Sequence, residues 1–420
     1  MSNNKRFKLI ELFSGIGSQA KALKKLGIDF DVINTCEWNY HAMIAYSLIH
    51  NVEKDISPVT GTKEELIQYL MNLGISNDGK KPVNHTGLNS MTEYALKEIC
   101  ETIEKTNNLV DISKVNGNQI EDDIDIMTYS FPCQDLSNVG AFHGYKQGID
   151  RDAHNRSGLL WEVERILLER KEKDLYLPHF LLMENVPALN SARHKKNFEE
   201  WQRQLVELGY YNKQFLLNAK DFGLPQNRER LLMLSVLTYN DKDIERDLDR
   251  YFADHNLNSA AYVASLEIRK MKLQDCLKTD YSNEKYYQEA LESQPNGTVS
   301  RMKIWEENPQ LTDLRGNVKD MITSTITTKQ DRHPNSGNLY VDFDNGKAPF
   351  RYLTPRECFL LMGFDENDYE KVMAGNFEVK KNTNMFTRDN LIKMAGNSIA
   401  VNVLEAVFLH VVELDRKLFI

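Results

Sequence analysis

The chain has 420 residues, 52 of them basic and 61 acidic, for a formal net charge of −9. Apolar residues make up 41% and charged residues 27%, which excludes a disordered or collagen-like chain. The length exceeds the size at which one hydrophobic core stops growing, so two domains are expected, and the acidic balance excludes a surface that is basic all over. Any nucleic-acid contact must then gather its basic groups in a cleft.

The opening segment, MSNNKRFKLIELFSG, holds no apolar run long enough for a signal peptide or a membrane span. A cytoplasmic protein with no membrane partner is expected. Cys36, Cys100, Cys133, Cys276 and Cys358 are odd in number and widely spread, with no Cys-x-x-Cys pair. That pattern speaks against a disulfide framework or a structural zinc site, and no metal is expected.

In chain order, residues 8–13 form a short apolar strand ending in the turn Ser14-Gly15-Ile16-Gly17. An amphipathic helix follows over 18–26 and stops at Gly27, and 30–36 is the next strand. The stretch 53–108 is polar and partly helical, with a loop around 77–90, and reads as an insertion. Residues 124–131 and 180–183 are strands of the buried kind; 215–217 and 231–236 complete the set. Strand and helix in alternation predict an α/β fold: a doubly wound, mostly parallel sheet with helices on both faces. From Thr238 the pattern changes to a charged helical stretch and then threonine- and turn-rich sequence, which predicts a second, smaller domain. The expected division is 1–236 for the first domain, 237–389 for the second, and 390–420 for a segment returning to the first.

The glycine turn lets a backbone approach a ligand closely. Glu37 ends the second strand 22 positions after Gly15, near the spacing at which a carboxylate binds ribose hydroxyls in doubly wound sheets. Trp38 beside it offers a flat face to an adenine ring. Ser18 stands where a dinucleotide fingerprint has its third glycine, which suits a ligand without a pyrophosphate. A plain strand-to-helix turn is the competing reading.

Ser130-Phe131-Pro132-Cys133-Gln134 leaves a buried strand into a polar loop, the place where open α/β sheets hold ligands. A thiol there is a candidate nucleophile, whereas Cys36 and Cys358 sit in apolar patterns that favour packing. Glu184-Asn185-Val186 leaves the next strand into the same crevice, so Glu184 is a candidate to donate a proton or hydrogen bond. Arg228 and Arg230, in the run QNRER, share a face by the period of two and suit a base carbonyl or phosphate oxygens.

Together these blocks resemble the DNA cytosine-5 methyltransferase family, bacterial or phage type. FSGIG (Phe13, Gly15, Ile16, Gly17) is similar to the family's cofactor loop, and Glu37-Trp38 to its ribose and adenine pair. Asp111-Ile112 stands where the family has an aspartate for the adenine amino group; it is assigned by its distance from Cys133, with Asp122 and Asp123 as rivals. SFPCQ resembles the nucleophile block with Pro132 and Cys133, MENV the glutamate block with Glu184, and QNRER the arginine block. RSGL, with Leu159, follows the mobile catalytic loop 134–155. LTPREC (353–358) and Gly396-Asn397-Ser398 resemble the last two blocks, the latter on the cofactor side. The matches span 13–398.

The resemblance implies a Rossmann-like fold dependent on S-adenosyl-L-methionine, with a target-recognition second domain. It implies methyl transfer to carbon 5 of a cytosine in a specific duplex DNA sequence, by base flipping and a covalent cysteine adduct. Cys133, Glu184, Arg228 and Arg230 would be catalytic. Duplex DNA is the expected partner of a monomer, with a cognate restriction endonuclease acting at the same site. Arg332, His333, Asn335 and Asn338 have the groups to read base edges, against a polar turn as the plainer reading. The alternatives are an RNA cytosine-5 methyltransferase of the same fold and a non-catalytic cofactor-binding homologue.

Overall fold

The computed structural model describes residues 5–132, 149 and 156–419. They form two compact units: one of 1–217, 229–266 and 404–420, the other of 218–228 and 267–403.

The first unit is built on six strands, β1 (Phe7–Leu12), β2 (Phe30–Cys36), β3 (Ile126–Tyr129), β4 (Phe180–Asn185), β5 (Tyr210–Asn218) and β7 (Glu229–Leu237), in the order β2-β1-β3-β4-β7-β5. β1 pairs parallel with β2 and β3, β3 parallel with β4, and β4 antiparallel with β7. This is the mostly parallel sheet the alternation predicts. All six residues of β4 are buried, as are all four of β3, because parallel strands covered on both faces need apolar side chains throughout. The strand order reverses direction at β1, so the crevice outside the carboxyl ends of β1, β2, β3 and β4 is where such a sheet accepts a ligand.

Three elements depart from expectation. β5 runs over nine residues rather than three; its Asn212, Lys213 and Gln214 are half-buried on a sheet edge, where one face meets solvent and no apolar run is required. In the insertion, helices Lys63–Leu73 and Glu93–Lys105 fit the partly helical reading, but a further helix, His85–Asn89, lies in the expected loop 77–90; each has a capping Thr or Asn. The charged helix Lys242–Asp254, expected in the second domain, lies in the first unit. There its buried Tyr251 and Phe252 stack edge to face against His410 of the C-terminal helix. The first unit also takes back the chain from Leu404, within helix Val401–Leu418. Arg388–Leu418 contains an apolar window long enough to cross a bilayer, 72% of it buried inside the protein, which is the pattern of a core helix.

The second unit contains β6 (Gln226–Asn227) parallel to β8 (Thr323–Ser324), and β9 (Asn338–Tyr340) antiparallel to β10 (Phe350–Tyr352). Leu353-Thr354-Pro355-Arg356-Glu357 starts a helix by a capping box, with Pro355 in the first turn. Glu357 also takes a bidentate bond from Arg351 at 2.8 Å, both side chains fully buried.

Candidate active site

The chain leaves β1 at Phe13, whose φ is 58°, a left-handed conformation that a bulky residue holds only under tertiary constraint. Ser14 N–H bonds to Cys36 O at 3.2 Å, tying the turn to the end of β2. Gly17, with φ 77°, caps helix Ser18–Lys25 and supplies no side chain to do so. The missing cap comes from below: Glu11 Oε1 accepts the Ala20 N–H at 3.1 Å, while Glu11 Oε2 accepts the Tyr46 hydroxyl at 2.5 Å. A Cβ on Gly17 would lie 2.2 Å from His50 Nε2 and 2.6 Å from the Tyr46 ring, whereas one on Gly15 would meet nothing within 4 Å. Gly15 therefore faces open space and Gly17 faces packed protein. Ile16 between them is buried. Ser18 starts the helix without a left-handed φ, so glycine is not required there.

Glu37 stands over this turn. Its carboxylate accepts the Gly15 N–H at 3.0 Å and the Asn39 N–H at 2.8 Å. Its backbone is clamped by Asn108, which accepts from Glu37 N and donates to Glu37 O, both at 3.0 Å. Trp38 is half-buried, and its carbonyl accepts the Ser76 N–H at 2.6 Å. The insertion thus holds the Glu37-Trp38 segment from both ends. Asp111 follows directly, its side chain accepting from Ser113 N–H and hydroxyl at 3.1 and 2.7 Å; Ile112 enters the core. Of its rivals, Asp122 is committed to Arg170 at 2.9 Å, and Asp123 lies 3.8 Å from Lys8. The glycine turn, open at Gly15, together with carboxylates at the ends of neighbouring segments, fits a ribosyl ligand without phosphates.

Cys133 and the loop 134–148 lie outside the described residues, but their root does not. Phe131 is buried, Pro132 half-buried, and Asn185 Nδ2 donates to Phe131 O at 3.1 Å. Leu159, at the end of the turn Arg156–Leu159, packs against the core cluster before helix Leu160–Glu172. Glu184 Oε2 accepts the Ser130 hydroxyl at 2.8 Å, and Glu184 Oε1 meets Arg230 Nε at 3.1 Å. The β4/β7 register explains that pair: Glu184 faces Leu232, and Arg230, two residues away, is its diagonal neighbour on the same face. Glu184, 7% exposed, is thus a nearly buried carboxylate with a hydroxyl donor and a guanidinium fixed on it.

Arg228 and Arg230 bond to different groups. Arg228 is buried in the second unit, where its guanidinium donates to Ile326 O, Gly396 O and Ser398 O at 2.9, 3.0 and 2.7 Å. A guanidinium whose two terminal nitrogens donate to three backbone carbonyls holds chain segments in place, so the expected catalytic reading of Arg228 gives way to a positioning one. The period of two put the arginines on one face. The chain passes between the two units at 228/229, and that separates their settings. Ser398 receives Arg228 on its carbonyl and donates its hydroxyl to Met394 O at 2.8 Å, whereas Asn397 is exposed.

The base-reading quartet also divides. Arg332 and His333 are exposed. Asn335 and Asn338 are buried, their amides donating to Gln330 O and Ile304 O, so they shape the loop and present nothing to a base.

Sequence reasoning missed Ser130, Asn185, Asn108, Glu11 and Tyr46. Ser130 and Asn185 flank the chosen motifs and were within reach; the other three meet their partners only through the fold.

The four described cysteines are all buried. Burial pushes Cys36 well up, and Cys100 and Cys276 up to about 12, so none of these three is poised as a thiolate. Burial also pushes the Glu11 carboxyl up to about 7 against the lowering effect of its two donors. The folded state therefore binds a proton here that the unfolded chain releases near pH 4.5, and stability falls as pH rises between about 4.5 and 7. Glu11→Gln is expected to remove on the order of 2 kcal/mol of that decline, measured as urea unfolding free energies from pH 5 to 8. An unchanged pH slope would contradict the assignment.

Comparison with known proteins gives the family. A model of the C-5 cytosine-specific DNA methylase family matches residues 65–413. The chain is 31% identical over 421 residues to the orphan methyltransferase M.SssI of Spiroplasma monobiae, covering 97% of each. It is 32% identical over 404 residues to the type II methyltransferase M2.ScrFI of Lactococcus lactis subsp. cremoris, covering 96% of this chain and 98% of that one. The fold is similar to the Dnmt2 methyltransferase of S. pombe (TM-score 0.55, 19% identity, 97% of this chain and 99% of that one). It is also similar to the methyltransferase EhMeth of Entamoeba histolytica (TM-score 0.54, 19% identity, 97% and 98%). The chain belongs to the C-5 cytosine-specific DNA methylase family and is an enzyme that methylates cytosine at carbon 5 in DNA.

Proposed function

We propose that the enzyme acts on a cytosine turned out of a specific duplex DNA sequence, with Cys133 as nucleophile and Glu184 and Arg230 on the ring. Carbon 5 of cytosine is a poor nucleophile until electron density is pushed onto it. The Cys133 thiolate would add to carbon 6, and Glu184 would hold or protonate ring nitrogen 3, which stabilises the charge that addition creates. Arg230 would fix the Glu184 carboxylate and meet oxygen 2. S-adenosyl-L-methionine, when bound along Phe13, Gly15, Ile16, Gly17, Glu37, Trp38, Asp111, Ile112, Pro132 and Leu159, supplies a methyl group activated by its sulfonium. A base, water in the catalytic loop, then takes the carbon 5 proton and the electron pair expels Cys133. The target atom lies inside the stack, so the base must be everted at a cost of a few kcal/mol, offset by contacts to the flanking strand.

The observation that carries this reading is Glu184, nearly buried and held by Ser130 on one oxygen and Arg230 on the other. Its neighbour Asn185 is bonded to the carbonyl two residues before Cys133. The second unit would recognise the target, Arg228 would position its backbone, and the protein would work as a monomer in the cytoplasm, with a cognate endonuclease acting on the same sequence. The test is transfer of labelled methyl from S-adenosylmethionine to duplex DNA and to transfer RNA, followed by bisulfite sequencing of the DNA. Label in one sequence context of the duplex is expected. Label in RNA alone, or scattered without regard to sequence, would reject it.

A further inference from the structure

The second unit carries a small hairpin outside every motif considered so far. Its base is anchored: Leu311 is fully buried and Thr312 2% exposed. Leu311 N–H bonds to Asn338 O at 2.8 Å, and Thr312 Oγ1 accepts Tyr340 N–H at 2.7 Å. The arms close through Lys319 N–H to Leu311 O and Asp313 N–H to Asn317 O, each 2.9 Å. The tip, Leu314-Arg315-Gly316, is a three-residue connection ending in a left-handed glycine (φ 83°), which is what such a loop requires. Asp313 holds it rigid by accepting Arg315 N–H, Asn317 N–H and the Asn317 amide at 2.8 to 2.9 Å.

What the tip presents is unusual for a solvated turn. Leu314 is 70% exposed, and Arg315 and Lys319 are exposed with no ion-pair partner among the described residues. Within 311–319 the single carboxylate, Asp313, is bonded to N–H groups of the tip and also attracts Arg315 beyond ion-pair distance, and exposed Asp320 follows Lys319. An isolated exposed leucine is ordinary. One fixed in place beside unpaired cations, on a hairpin that needs no ordering to bind, suits a polyanion with apolar surface between its charges.

We propose that the hairpin Leu311–Lys319 inserts into a groove of the duplex, where Arg315 reads a guanine, Leu314 packs on apolar base surface and Lys319 meets a phosphate. This rests on the reading of the second unit as the part that recognises DNA. Arginine meets the O6 and N7 of guanine with two parallel donors, and an aliphatic side chain suits a thymine methyl.

The test uses the full-length chain and duplexes randomised around the cytosine, read by bisulfite sequencing. The wild type defines the preferred site. Arg315→Ala is expected to weaken selection of guanine at one position by roughly 10- to 100-fold, with Arg315→Lys recovering only part, because the planar fork is lost. Leu314→Ala is expected to raise KM for DNA by roughly tenfold while kcat stays within about twofold. Variants that keep the wild-type site and the wild-type kcat/KM would overturn the proposal and leave the parent reading intact. A wild-type chain that methylates no duplex would overturn both.

Discussion

Glu184→Gln is expected to lower kcat by roughly 10²- to 10⁴-fold, the range that a positioned acid or base supplies. Glutamine keeps one acceptor oxygen, for Arg230, and turns its amide NH2 to Ser130, whose hydroxyl can accept, so the pocket stays hydrogen-bonded; what it cannot do is carry a proton to the ring. The loss should therefore fall on kcat in single-turnover methyl transfer, with S-adenosylmethionine affinity unchanged. Ser130→Ala should cost less, since it removes one donor to Glu184 Oε2 and leaves the Arg230 contact. Cys133→Ala, in the same assay, should fall to background, and binding of DNA should survive. A Glu184→Gln protein with normal kcat and raised KM would mean that the carboxylate only binds. That outcome would remove the chemical step from our account.

Gly17→Ala is expected to destabilise the first unit by roughly 2–5 kcal/mol. About 1–2 kcal/mol comes from forcing a Cβ into a left-handed backbone. The remainder comes from overpacking against Tyr46 and His50, which typically costs about 1–3 kcal/mol, because the new atom would sit at 2.2 Å and 2.6 Å from their side chains. Tyr46 cannot withdraw freely, as its hydroxyl is bonded to buried Glu11. Gly15→Ala is the internal comparison. Its φ is also left-handed, 54°, but the added methyl meets open space, so only the strain of about 1–2 kcal/mol is expected. Its effect should appear instead in cofactor affinity, since the open side is the one a ligand would use. Denaturant unfolding of both variants, with calorimetry for S-adenosylmethionine, separates the two glycines; equal loss of stability would refute the distinction.

These expectations show which parts of the site the chain's order reveals. β2 runs over Phe30–Cys36, as its β-branched pattern indicates. The glycine turn follows the buried run of β1 and Glu184 the buried run of β4, while Glu37 follows the half-buried β2. Local pattern failed where a residue's partner is remote. Asn335 and Asn338 carry groups that could read bases, with a polar turn as the plainer reading, and burial decides for the turn by spending their amides on Gln330 and Ile304 carbonyls. Helix Lys242–Asp254 read as part of a second domain, yet its buried face packs on His410, some 160 residues away.

The amino-acid sequence by itself determined the sheet's strands, the class of chemistry and the family, since these depend on local periodicity and on short motifs in a fixed order. The tertiary structure alone decided what each charged side chain is for. It sent Arg230 to Glu184 by the antiparallel β4/β7 register and Arg228 to three backbone carbonyls, although one residue separates them. It also gave helix Ser18–Lys25 its cap from Glu11 on β1. The physical reason is common to both: a buried charge or N–H must find a partner wherever the fold brings one, and that partner is rarely near in the chain.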